Sequence, residues 1–291
     1  MKFKKALVMG TGRLPFQCAR RLGGFFDQAD ICVLEIKLTE VSVLEKLCMN
    51  HQISYACLSK TQIEERLRGI SEPTLVVSAV NTYLFQPWFL QQEHITTINY
   101  HNALLPRHRG RNAESWAIFD GDEETGITWH FVDAGVDTGR VIDQRAVCIE
   151  PDMTAISLLK RQNQMAAEAF DSFIGLLLEG ELRGSEQARS KENTLHYSQE
   201  LPNNGWLDMQ WSLDKMSRFL RAMDYGAIMT LGHPMVALAE QGYKIVRYEL
   251  AAEGQERETG PREELRPGQL TIREGGKRLC LQLEPGEDTI S

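Results

Sequence analysis

Short apolar runs alternate with helically spaced apolar residues along the first third of the chain. The runs at 5–9 (KALVM), 30–34 (DICVL), 54–58, 74–78 (TLVVS) and 96–100 (TTINY) are rich in Val, Ile, Leu and Cys and read as strands. Between them, residues 15–22, 40–51 and 63–68 carry apolar positions at helical spacing. That rhythm predicts an α/β fold, a Rossmann-like, mostly parallel sheet covered on both faces. Ligands of such sheets lie beyond the carboxyl ends of the strands. Two more strands are predicted at 126–132 and 141–147, joined by an acidic, glycine-rich loop. A helix then opens at 151–154 (PDMT) and runs to about 179, with Ile156, Leu159, Met165, Ala169, Phe173, Leu176 and Leu177 along one face. Gly180 ends it.

The pattern changes after residue 180. Residues 181–204 are polar and read as a linker. Residues 206–223 read as a strand end and an amphipathic helix (Met216, Phe219, Leu220, Met223). Short apolar runs follow at 235–239, 244–249, 269–273 and 278–283, and an acidic hinge at 251–268 interrupts them. Several short strands after one helix predict a small, β-rich, open-barrel-like domain. The expected organisation is therefore a large domain at 1–180, the linker, and a smaller domain at 205–291.

Composition narrows the classes. A chain of 291 residues with 42% apolar and 25% charged positions is ordinary for a soluble globular protein of that size. The apolar run after the first lysines stops at Gly10, too short for a signal peptide or a membrane span, so a cytoplasmic protein with no membrane partner is expected. Six cysteines stand apart without a CxxC pair, and seven histidines show no HxxxH or HExxH, so neither a disulfide framework nor a metal is predicted. The net charge is −8, and residues 205–291 hold eleven Lys/Arg against fourteen Asp/Glu. Both balances argue against a nucleic-acid partner.

The candidate chemistry is densest at 97–140. Asn99 and His101 stand two apart at the end of an apolar strand, so they share a face at the sheet's carboxyl edge. Some thirty residues on, Asp133-Ala-Gly-Val-Asp137-Thr-Gly139 makes a turn whose glycines permit close backbone approach. An amide, an imidazole and a carboxylate together can carry acyl transfer: the amide polarises a carbonyl, the imidazole handles protons and the carboxylate orients both. Taken singly, Asn99 reads equally as a turn cap and His101 as a satisfied edge histidine. His101, His108, His130 and Asp137 match no familiar metal spacing. Gly10-Thr-Gly12 follows the first strand, but the third glycine of a dinucleotide motif is missing, so a tight strand-to-helix turn is the better reading.

These residues carry a resemblance. NYHNALLPRHRG resembles the N-x-H-x-x-L-L-P-x-x-x-G signature of folate-dependent formyltransferases, and GDEETGITWHFVDAGVDTG resembles their G-x-x-x-T-G-x-T-x-H-x-x-x-x-x-x-D-x-G segment. The resemblance covers roughly residues 1–180 closely and 205–283 more loosely. It implies Asn99, His101 and Asp137 as catalytic residues, and 10-formyltetrahydrofolate as co-substrate with no metal. It places the pterin-like ring against residues 81–86 (Tyr83, Leu84, Phe85 and Gln86 among them) and against Asp133, Val136 and Thr138, with Leu104 and Pro106 lining the same pocket. Many relatives have Ala-Tyr-Gly where this chain has Asn81-Thr82-Tyr83-Leu84.

The acceptor is less legible. The local wording is closest to formyltransferases of natural-product pathways, which implies a small amine: an amino acid, a hydroxylated amino acid or a carrier-bound aminoacyl group. A nucleotide-linked amino sugar is the second expectation, with Arg109 and Arg111 as phosphate partners, though a solvated loop explains them equally. Methionyl-tRNA is a third. Outside this class stands a non-catalytic nucleotide-binding regulator resting on Gly10-Thr-Gly12 alone.

Overall fold

The computed structural model describes residues 2–36, 42–188, 194–239, 241–252 and 263–289. The chain divides into two compact units: Met1–Arg111, Gly126–Val147 and Lys160–Leu195 form the first, and Asn112–Thr125, Cys148–Leu159 and His196–Ser291 the second.

The first part of the chain runs β1 (Lys5–Gly10), α1 (Arg13–Leu22), β2 (Ile31–Ile36), α2 (Val43–Asn50), β3 (Ser54–Leu58), α3 (Lys60–Arg68), β4 (Thr74–Ala79), α4 (Pro87–Leu90), β5 (Ile95–His101), β6 (Arg109–Gly110), α5 (Ala113–Asp120), β7 (Glu124–Phe131), β8 (Val141–Cys148) and α6 (Ala155–Glu179). Seven strands form one sheet in the order β3-β2-β1-β4-β5-β7-β8. Pairing is parallel from β3 to β5 and turns antiparallel where β7 joins β5. Every residue of β4 is buried, which is why its sequence is a continuous apolar run rather than an alternation. The fold is the Rossmann-like α/β sheet that the strand–helix rhythm predicts.

The antiparallel register decides where polar groups meet. Asn99 stands opposite His130 and His101 opposite Thr128, so these four side chains share one face. On the other face Trp129 is fully buried, donates Nε1–H to Ala166 O at 2.9 Å, and packs on Phe170 and Phe173. Removing that indole would cost about 3–5 kcal/mol.

The glycine turn after β1 serves packing. A Cβ on Gly10 would stand 1.7 Å from Ala79 O, so only glycine lets β1 end against β4. Thr11 donates its hydroxyl to Glu35 at 2.7 Å, and Ser42 and Tyr55 donate to the same buried carboxylate at 2.5 and 2.6 Å. Three hydroxyl donors satisfy a group that would be costly to bury alone.

The remaining elements are β9 (Leu195–His196), which ladders with β6, then β10 (Trp206–Leu207), α7 (Leu213–Met223), β11 (Met235–Leu238), β12 (Gln241–Ala252), β13 (Glu263–Arg266), β14 (Gln269–Glu274) and β15 (Lys277–Thr289). In the second unit a six-stranded open sheet, β10-β11-β12-β15-β14-β13, packs on α7. Met216, Phe219, Leu220 and Met223 of α7 meet Val236, Ile245, Leu270, Ile272, Leu279 and Leu281. Register shifts between β12 and β15 bend the pair, giving a half-barrel. Helix α5 also belongs to this unit: Ser115 donates to Ala222 O at 2.6 Å and Phe119 packs on Trp211 and Phe219.

Sequence pattern missed α5 and β13. Residues 37–41, where the predicted helix at 40–51 begins, lie outside the described residues, as do 253–262 of the acidic hinge and 189–193 of the expected linker. Among the described residues no helix is long and apolar enough to cross a membrane.

Candidate active site

Asn99 and His101 lie at the carboxyl end of β5, and Asp137 comes from the loop between β7 and β8. The structure brings all three together. Asn99 Nδ2 lies 3.4 Å from Asp137 Oδ1, and His101 Nδ1 lies 3.5 Å from Asp137 Oδ2. His130 is a fourth member, with Nε2 at 3.1 Å from Asn99 Nδ2 and 3.4 Å from Asp137 Oδ1. Sequence offers His130 as a metal ligand of unfamiliar spacing and as the histidine of the T-G-x-T-x-H segment, with no role at the site. Its signal was the strand alternation that puts it on the same face as Thr128, but the pairing with Asn99 needed the register.

Hydrogen-bond chemistry assigns each atom. Ser78, beside Asn99 on β4, donates its hydroxyl to Asn99 Oδ1 at 2.7 Å and accepts from Asn81 Nδ2 at 3.2 Å. The amide oxygen is thus anchored away from the carboxylate, and the N–H groups point to His130 and Asp137. A carbonyl can only accept, so the 2.8 Å contact between His130 and Phe131 O puts a proton on His130 Nδ1 and leaves Nε2 to accept from Asn99. By the same argument, His101 donates Nε2–H to His108 O at 2.8 Å. Its Nδ1, facing Asp137, is the atom that gains or loses a proton.

Electrostatics separates the two titrating groups. Burial would raise the Asp137 carboxyl, but the charge of a protonated His101 and the Gly110 N–H, which donates to Oδ2 at 2.8 Å, pull it well below the ordinary carboxylate range. Burial pushes His101 below the usual imidazole value, against the opposing pull of Asp137. With Gly110 and Asn99 donating to it, Asp137 stays ionised beside a neutral His101 ring. A carboxylate and a neutral imidazole in contact form a proton acceptor poised below neutral pH.

The other expected residues fall on the surrounding loops. Tyr83 donates its N–H to Asn81 Oδ1 at 3.1 Å, linking the 81–86 loop to Ser78 and so to Asn99. Tyr83 and Phe85 pack edge to face at 5.5 Å, while Leu84 is 71% exposed and Gln86 is exposed. Asp133 accepts from Thr138 Oγ1 at 2.6 Å and from Gly135 N–H at 3.1 Å, bracing the loop that carries Asp137, and Val136 is 41% exposed. Leu104 packs over Gly126, where a Cβ would stand 2.5 Å from Leu104 Cδ2. Pro106, half-buried, follows a cis peptide after Leu105. Arg109 and Arg111 flank Gly110; Arg111 is exposed, and Arg109 Nε is buried without a hydrogen-bond partner among the described residues.

Residues 28–174, just over half of the chain, match the family described as Formyl transferase. A GDP-perosamine N-formyltransferase of Brucella melitensis is 32% identical over 152 residues, covering 52% of this chain and 57% of that protein. A methionyl-tRNA formyltransferase of Geobacter sulfurreducens is 39% identical over 123 residues, 42% of this chain and 38% of its own. The matches thus span little more than half the length of these relatives, or less. In fold, an N-formyltransferase from Helicobacter canadensis, solved with folinic acid and dTDP-3-aminofucose, superposes with a TM-score of 0.75 at 18% identity, covering 96% of this chain and 99% of its own. A sugar 3N-formyl transferase solved with dTDP and 5-N-formyl-THF gives 0.73 at 18% identity, with 97% and 98% covered.

Proposed function

The chain belongs to the formyl transferase family, and on that premise we propose that it moves a formyl group from 10-formyltetrahydrofolate to the amine of a small acceptor. One observation carries the reading: a neutral imidazole, an ionised carboxylate and an oriented amide converge at the carboxyl edge of a parallel sheet. His101 Nδ1 takes the proton that the amine loses as it attacks, Asp137 stabilises the imidazolium that results, and the imidazolium gives that proton to N10 as the N10–formyl bond breaks and tetrahydrofolate leaves. Asn99 donates N–H to the oxygen that gains charge on the formyl carbon, exchanging its long 3.4 Å contact with Asp137 for that acceptor. A preorganised donor of this kind is worth about 3–4 kcal/mol in a dry site.

The residues present fit a folate. Leu84 and Val136 leave apolar side chains exposed on the two loops tied to the site, a surface suited to a flat heteroaromatic ring. When bound, 10-formyltetrahydrofolate supplies the activated formyl carbon. Tyr83, Leu84, Phe85, Gln86, Leu104, Pro106, Asp133, Val136 and Thr138 are the residues we assign to holding it.

For the acceptor, a nucleotide-linked amino sugar takes the place of the amino-acid-derived or carrier-bound amine that the sequence wording suggests. The name of the Brucella relative supports this choice. Arg109 Nε is buried without a hydrogen-bond partner among the described residues, and the guanidinium that carries it is a charged donor suited to a phosphate. The test is an acceptor panel with 10-formyltetrahydrofolate, following tetrahydrofolate release and product mass. The panel holds nucleotide-linked amino sugars, ornithine and hydroxyornithine, and charged initiator tRNA. Formylation of an amino sugar is expected. Turnover confined to an amino acid or to tRNA would move the acceptor, and no turnover by a folate-binding protein would overturn formyl transfer to these amines.

A further inference from the structure

After α6, Gln187 and Thr194 reach the site from two sides. Ser185 exchanges backbone hydrogen bonds with Val141, at 2.8 Å for its own N–H and 2.7 Å for its carbonyl. Gln187 then donates Nε2 protons to Asp137 O and to Gly139 O, each at 2.8 Å. Further on, Thr194 Oγ1 accepts the His108 N–H at 3.1 Å and Thr194 O accepts the Arg109 N–H at 2.9 Å. His108 O is in turn the acceptor for His101 Nε2–H.

The two residues held in this way share a conformational cost. Asp137 has φ +52° and His108 has φ +48°, a left-handed backbone that a non-glycine residue adopts only when its surroundings impose it. Each is held through its own backbone: Asp137 by its carbonyl on Gln187, His108 by its N–H on Thr194.

We propose that Gln187 and Thr194 are positioning residues that set the separation of Asp137 and His101, Gln187 from the carboxylate side and Thr194 from the imidazole side. The proposal deepens the formyl-transfer reading and rests on it for its kinetic readouts. Neither residue touches the reacting atoms. Gln187 acts through the Asp137 backbone, and Thr194 acts through His108 on the ring of His101. Loosening either contact moves the carboxylate from Nδ1, weakens the pull that opposes burial, and lowers the pH at which His101 titrates.

The experiment compares Gln187→Met, Thr194→Val and Thr194→Ser with the full-length protein, using kcat, KM for both substrates and the pH profile. The His101 ring is also titrated by NMR without substrates. Gln187→Met and Thr194→Val should lose about ten- to hundredfold in kcat with little change in either KM. The acid limb of the rate profile should move to lower pH, and the ring titration with it. Thr194→Ser keeps the acceptor oxygen and should restore both. Kinetics and ring titration within twofold of wild type for Gln187→Met would overturn the proposal. Should that variant misfold, Thr194→Val decides, with Thr194→Ser as its match. His101→Ala, run alongside, separates the two readings. If it is inactive while the Gln187 and Thr194 variants behave as wild type, the positioning assignment alone fails. If it keeps full turnover, the formyl-transfer reading fails, and the NMR titration still judges the positioning roles.

Discussion

Asn99 and His130 stand directly opposite one another on β5 and β7, with the Asn99 amide nitrogen 3.1 Å from His130 Nε2. Because His130 Nδ1 carries the proton donated to Phe131 O, and Ser78 donates to Asn99 Oδ1, the amide is fixed from both ends. This pairing turns a side chain that could rotate into an aimed donor. We therefore expect Asn99→Ala to lower kcat by about 10²–10³-fold with a smaller effect on donor binding. His130→Leu, which removes only the aiming, should fall between that variant and wild type. Steady-state kinetics with both substrates check the order; a His130→Leu loss exceeding that of Asn99→Ala would mean that His130 meets the substrate itself.

His101→Ala and Asp137→Ala should fold and lose roughly 10²–10⁴-fold in turnover. With His101 held below the ordinary imidazole value, the rate should rise with pH through a midpoint below about 6.5 and then level off. Asp137→Asn removes the charge that supports the imidazolium, so what activity remains should show its acid limb at still lower pH. Circular dichroism confirms folding, and the rate profile tests the roles. A midpoint above neutrality would contradict the neutral resting ring.

Stability should carry the same signature. His101 binds its proton less readily folded than unfolded, so the unfolded chain takes up more protons below about pH 6.5. The stability it contributes is present above that pH and is lost as pH falls through the lower folded value. Asp137, also lowered, follows the same sign further down: its contribution is present above about pH 4 and lost below it. Urea midpoints between pH 5 and 8 should thus rise with pH in the wild type and rise less in His101→Gln. Parallel curves would show that His101 does not set the slope.

What the sequence conveyed, and what it withheld, follows from range. The parallel strands were legible because burial on both faces writes a continuous apolar run such as TLVVS. Asn99, His101 and Asp137 were legible as a spacing, and the structure brings them together. Helix α5 was not, because its eight residues bury Glu114 and Ser115 alongside Ala113, Ala117 and Ile118 and so show no clean stripe. Left-handed Asn112 and Gly121 bound it. Strand β13 hid in a charged hinge as an edge strand of Glu, Glu, Leu and Arg. The roles of Ser78, Gln187 and Thr194 depend on partners far away in the chain, which no local pattern records.

Gly139→Ala tests how tightly the Asp137 loop is built. A Cβ there would stand 1.7 Å from Phe131 O, a backbone atom that cannot turn aside. The strand end or the loop must move, and Gln187 would lose its paired carbonyls. We expect a lower melting temperature together with a loss of turnover greater than the loss of stability explains. Full activity in a destabilised Gly139→Ala protein would show that the loop tolerates displacement.

Polar residues 181–204 suggest a dispensable tail beyond them, but the second unit's core argues otherwise. Phe119 and Ser115 of α5 are covered by Phe219, Trp211 and the Ala222 carbonyl, and Glu114 accepts from the Tyr225 hydroxyl at 2.5 Å. All of these partners lie beyond residue 200. An eight-residue helix without tertiary cover is well short of the roughly 12–15 residues an isolated helix needs to hold even marginally in water. Each large apolar side chain uncovered forfeits about 1.5–3 kcal/mol. Since α5 leads directly into β7, its melting frays the strand that carries Thr128 and His130. A chain ended after residue 200 should therefore bind an apolar-surface dye, melt well below the full-length protein and lose folate binding. A truncated protein with the full-length melting temperature and intact folate affinity would show instead that β7 and the site stand without α5.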